Sequence, residues 1–143
     1  MSTVASHLAS ISSMHDVPQL QALEEALKSL LPDTMDDEDR IGLLRLFERF
    51  PEDDGYGAFS SIISLLEKAG GYEPLLIESV NRRATEFNLR MIARILNAGI
   101  THIGATDLLS VLRRVADYSE SPKSAAEWAK IFISQAPSSG KDA

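Results

Sequence analysis

The chain contains no cysteine, which removes disulfides, thiolate nucleophiles and cysteine-held metals together and suits a reducing compartment. Stability has to come from packing. No apolar run approaches the roughly 20 residues that a membrane-spanning helix needs. The opening residues, MSTVASHLASISSMHD, have neither the basic start nor the continuous apolar stretch of a secretory signal. The expectation is a cytoplasmic protein that begins at Met1 and has no membrane segment. Positive charge is also short: the formal net charge is −7, so nucleic acid and anionic membrane surfaces are repelled at long range and a basic partner is favoured.

Catalytic signatures are missing as well. His7, His15 and His102 sit in separate segments without the paired spacing of a metal-binding helix or an adjacent partner for acid–base work. No serine lies in a Gly-x-Ser-x-Gly elbow. Gly55-Tyr56-Gly57 lacks the third glycine and the preceding strand of a dinucleotide loop, and there is no phosphate-binding loop. Asp37, Asp39, Gly42 and Glu48 fall at positions one, three, six and twelve of a calcium loop, but Ile41 stands where an oxygen ligand belongs and Leu44 and Phe47 continue a helical stripe. A helix is the better reading, and no metal or cofactor is expected.

What is present is helical periodicity. At 143 residues with 44% apolar content the chain is the size of one domain and can bury about 68 to 70% of its unfolded surface. A short helix is predicted from Val4 to Ser13, and a second is capped by Asp16, carries Val17, Leu20, Leu23, Leu27, Leu30 and Leu31, and stops at Pro32. Asp36 opens a third helix with Ile41, Leu44, Phe47 and Phe50 on one stripe, closed by Pro51. Phe59, Ile62, Ile63 and Leu66 define a fourth that ends at Gly70-Gly71, and Glu73-Pro74 begins a fifth. Thr85 caps a sixth helix that ends at Gly99, a seventh enters near Thr106, and Ser121-Pro122 marks an eighth whose Ala125, Trp128, Ile131 and Phe132 face inward. The fold class is therefore all-α: one compact domain over residues 1–136 of seven to eight short antiparallel helices, a helical-hairpin array with some solenoid character, followed by a fraying tail over 137–143.

The charge is uneven. Between Asp33 and Asp54 nine carboxylates face Arg40, Arg45 and Arg49, so this window carries −6 of the −7, whereas from Glu78 to Lys130 eight basic residues outnumber six acidic ones. Asp36 to Asp39 are partly explained by the positive end of a helix dipole. Glu52, Asp53 and Asp54 are harder to explain by capping alone, because crowded like charges are relieved by a cationic partner. Tyr56, between two glycines, reads either as a half-buried anchor of the turn or as an interface hot spot. Arg82-Arg83 and Arg113-Arg114 read as solvated helix ends, where cations suit the dipole.

Two segments carry a likeness to known proteins. They are DDGYGAFSSIISLLE from Asp53 to Glu67 and GYEPLLIESVNRRATEFNLRMIARILNAG from Gly71 to Gly99. The acidic-Gly-aromatic-Gly turn, the join Arg83-Ala84-Thr85-Glu86-Phe87 and the ending Arg94-Ile95-Leu96-Asn97 resemble all-α immunity proteins of bacterial contact-dependent growth-inhibition and related polymorphic toxin systems. With the helix that follows, the likeness spans about half the chain. It departs from the family pattern at Ala84 and Ser60, where proline and tryptophan are common.

The resemblance implies a protein without a reaction of its own, a monomer that binds the C-terminal domain of a cognate toxin one to one and blocks its active site or substrate cleft. A nuclease is the implied toxin, ribonuclease ahead of deoxyribonuclease, because a phosphate-holding cleft is basic and an acidic helical surface can fill it. Asp53 and Asp54 would form the charged centre and Tyr56 the aromatic anchor, with Glu52, Asp36 and Asp37 extending the field. The alternative is a cytosolic helical adaptor that grips a basic protein or peptide.

Overall fold

Asp16 starts the first long helix as its position requires: its carboxylate accepts a hydrogen bond from the Gln19 backbone N–H at 3.1 Å, satisfying one of the donors that a helix start leaves unpaired. Asp36 and Thr85 do the same for two later helices, and both form reciprocal boxes, Asp36 with Asp39 and Thr85 with Asn88. The computed structural model describes residues 3–118 and 121–136. Eight α-helices occur among them: α1 (Thr3–Ala9), α2 (Val17–Ser29), α3 (Asp37–Arg49), α4 (Ala58–Ala69), α5 (Glu73–Arg82), α6 (Glu86–Asn97), α7 (Leu108–Asp117) and α8 (Lys123–Gln135). The all-α class is thereby shown. No helix among the described residues is long and apolar enough to cross a membrane. The tail predicted over 137–143 lies outside the described residues.

The chain divides into two compact units, 1–79 and 80–143. In the first, α1 packs on α2 and α3, and α4 packs on α2 and α3. Leu8, Leu23, Leu43, Leu44, Phe47, Phe59, Ile62 and Leu66 are fully buried there, and Phe47 meets Phe59 edge to face with ring centroids 5.1 Å apart, a favoured arrangement of aromatic quadrupoles. In the second, α6 packs on α7 and α8, and α7 packs on α8. Leu89, Met91, Ile92, Leu108, Leu112, Ala125 and Ala129 are fully buried. The Arg90 guanidinium lies 5.3 Å from the Trp128 ring centroid and 5.4 Å from that of Phe132, while it also bonds Glu86 at 2.7 Å. A long cation is thus accommodated over aromatic faces.

Several sequence expectations are corrected. Helix α1 ends at Ala9, short of Ser13, because the Ser12 and Ser13 backbone N–H groups donate to the Gln19 side chain and need no helix to be satisfied. The seventh helix begins at Leu108, after a hairpin in which His102 pairs with Asp107 and Ile103 with Thr106. Gly104, with φ 57°, supplies the positive angle that a two-residue hairpin loop demands. Val17, Leu31 and Ile131 are exposed rather than inward. The acidic window is also less exposed than its composition suggests. Asp39 is buried within its capping box, and Glu48 is buried with its Oε2 accepting from the Ser79 hydroxyl at 2.8 Å.

Candidate functional site

Helix α3 stops at Phe50, whose backbone N–H still reaches the Leu46 carbonyl at 3.0 Å, and Pro51 prevents another turn. The chain must then reverse into α4. It does so through Gly55, Tyr56 and Gly57, whose φ angles are 61°, 53° and 93°. Three consecutive residues are thus left-handed, and Tyr56 is the one non-glycine residue with positive φ among the described residues. For an L-residue that conformation costs about 1–2 kcal/mol through the crowding of Cβ against the carbonyl. Glycine is favoured at Gly55, where φ is 61° and a Cβ would lie 3.2 Å from both Ala58 and the Phe59 ring.

Asp54 holds the turn in place. Its side-chain oxygen accepts from the Tyr56 N–H at 2.9 Å, and its carbonyl accepts from Gly57 N at 3.2 Å and Phe59 N at 3.1 Å. Tyr56 is therefore forced outward, and the residue is 73% exposed. At that exposure it is not half-buried, as one of the two readings from the sequence had it. An exposed aromatic in strained backbone is the type of feature that collects at contact sites.

Asp53 meets a residue that sequence reasoning set aside. His15, in the α1–α2 connection, places Nε2 at 2.8 Å from the Asp53 carboxylate, with side-chain exposures of 69% and 24% for the histidine and the aspartate. Its ring also stands edge-on to Tyr56, centroids 6.1 Å apart. The connection is buried in part and tied to the end of α3. Met14 is buried beside His15, and the Arg49 guanidinium, at the end of α3, donates to the Leu8 carbonyl at 3.2 Å and to that of Ile11. Nothing local in the sequence points to the His15–Asp53 pairing; it is made by the packing of α1 on α3.

Glu52, Asp53, Asp54 and Tyr56 are thus gathered with His15 on one turn. Asp36 and Asp37 are not part of it. They sit at the start of α3, whose 13 residues span about 20 Å at 1.5 Å per residue, well beyond a Debye length of about 8 Å at physiological salt. Both are also engaged locally. Asp36 caps α3, accepting from Asp39 N at 2.9 Å, and Asp37 bonds Arg40 at 3.0 Å. Arg40 in turn donates through Nε to the Gly70 carbonyl at 2.9 Å, closing the end of α4.

Tyr56 also lines an open groove of about 530 Å³. Glu24, Leu27 and Lys28 of α2 line one wall and Ser61 and Leu65 of α4 the other. The arrangement can offer a partner an aromatic ring near carboxylates and beside a mixed groove. No group of three or more His, Asp or Glu side chains placed to hold a metal occurs among the described residues. Compared with protein-family models, with curated proteins and with solved structures, the chain matches none of them.

Proposed function

We propose that this chain is an immunity protein that captures a basic toxin domain, a nuclease by preference, and blocks its cleft with the turn at 52–57. One observation carries the reading: an exposed tyrosine is held in left-handed backbone by a neighbouring carboxylate, at a cost to stability. Burial does not repay that cost, whereas contact with a partner does. The net charge of −7 and the likeness of Asp53–Glu67 and Gly71–Gly99 to immunity proteins support the same reading, since field complementarity speeds capture.

The carboxylates have divided roles. Asp54 shapes the turn, and Asp53, with Glu52, presents charge. A toxin's lysine or arginine would take the position that the His15 imidazole holds against Asp53. Asp36 and Asp37 contribute only long-range field, which salt screens. The groove between α2 and α4 favours a second reading, in which an adaptor seats a basic peptide alongside Tyr56.

The test is capture of the toxin domain encoded beside this gene, followed by protection of cells that express it. Reversal of charge at Glu52 and Asp53 together should weaken capture at least about tenfold, as expected for desolvated charge pairs, with helical content unchanged. Asp54 is left intact because its loss would release the turn. Unaltered affinity removes the site, and capture of a basic peptide without toxin binding favours the adaptor.

A further inference from the structure

The second unit holds a feature of opposite sign. A cavity of about 280 Å³ opens at the end of α5 and the end of α7, and Arg82, Arg83 and Arg114 all line it. The helix dipole accounts for a cation in the last turn of each helix, hence for Arg82 and Arg114. Arg83, the residue after α5, sits at the same negative end, and it lines the same cavity. Arginines gathered along one cavity make a lining that an oxyanion fits.

Part of the lining is held by bonds within the chain. Arg114 Nη2 donates to Asn81 Oδ1 at 2.6 Å, one bond among the five N–H donors that a guanidinium carries. The backbone of Arg83 is pinned by Asn88, whose Nδ2 donates to the Arg83 carbonyl at 2.9 Å. The remaining lining is largely apolar, with Val80, Val115 and Pro122 beside Tyr118, whose residue is 59% exposed. The lining thus combines arginines that suit a doubly charged oxyanion with apolar and aromatic groups that suit a flat carbon group. The volume lies just below the range of about 300–1,000 Å³ for drug-sized ligands, so the ligand is small.

We propose that this cavity binds a small phosphomonoester, with its phosphate on Arg83 and Arg114 and its organic group against Tyr118. Phosphate is favoured over a single carboxylate because its charge and three acceptor oxygens match a fork of arginines. The proposal is independent of toxin capture.

Calorimetric titration of the full chain at low ionic strength tests it, with inorganic phosphate and phenyl phosphate as probes and sodium chloride of matched ionic strength as control. One saturable site is expected, with phenyl phosphate about tenfold tighter than inorganic phosphate through the aromatic contact. Arg83→Gln and Arg114→Gln should each weaken both probes about tenfold or more, while Tyr118→Ala should remove the phenyl advantage and leave inorganic phosphate unchanged. Arg113→Gln, a neighbouring cation that does not line the cavity, should change nothing. Absence of saturable binding, or equal losses in Arg113→Gln and Arg114→Gln, would overturn the assignment by showing only diffuse charge attraction. Circular dichroism of each variant establishes that it is folded.

Discussion

Two helix entrances in this chain set an aspartate against a histidine, and each uses its carboxylate differently. At the entrance of α7, Asp107 takes both duties. Its Oδ2 accepts from the Ser110 backbone N–H at 3.1 Å and from the Ser110 hydroxyl, while Oδ1 lies 3.8 Å from His102 Nε2. The Ser110 hydroxyl bond is the main cause that holds the Asp107 carboxyl below the usual carboxylate range, with His102 and Arg113 adding smaller attraction. At the entrance of α4 the duties are divided: Asp54 fixes the turn, and Asp53 beside it meets His15. A carboxylate consumed by capping is a structural group. One relieved of capping by its neighbour can be presented, and the strained, exposed Tyr56 stands beside the relieved one.

That contrast can be broken from either side. The largest effect on folding is expected from Gly55→Ala, which combines left-handed backbone with a Cβ 3.2 Å from Ala58 and Phe59. A loss of about 2 kcal/mol is expected in urea unfolding, from the backbone penalty plus displacement of a core ring. Asp107→Ala should cost about 1 kcal/mol, as removal of an N-cap does.

The pH dependence of Asp107 follows from its depressed value. Its contribution is fully present above the unfolded carboxylate pKa of about 3.9 and is lost as pH falls through the lower folded value. The gap between wild type and Asp107→Ala should therefore close in acid, whereas Asp107→Asn should keep the cap and lack this titration. Tyr56→Gly should raise stability by about 1 kcal/mol, because glycine takes φ 53° without the Cβ penalty. A decrease would mean that the edge-on contact of the ring with His15 stabilises the turn by more than the backbone penalty. The smallest change is expected from His15→Ala, within about 0–1 kcal/mol for an exposed pair, and further reduced in high salt.

What the sequence revealed and what it concealed divide along range. Caps at Asp16, Asp36 and Thr85 and the stop at Gly70 were legible because each is settled within a few residues by an unpaired backbone group or a left-handed angle. The hairpin at His102–Asp107 was not, since two-residue strands are too short to show alternation. The turn at 52–57 was visible through its glycines and carboxylates, but its partition was not. Only packing brings His15 to Asp53, moves Glu48 inward against Ser79, and collects Arg83 and Arg114 around one cavity.

Tyr56 is the side chain on which this division of labour converges. The most direct measurement is the affinity of Tyr56→Ala, relative to wild type, for the basic toxin domain proposed as its partner, because this variant keeps the turn and removes the ring. A loss of about 30-fold, the scale of a central hot spot, is the expected result; affinity unchanged within twofold, in a variant of normal helical content, would contradict a binding role for the turn.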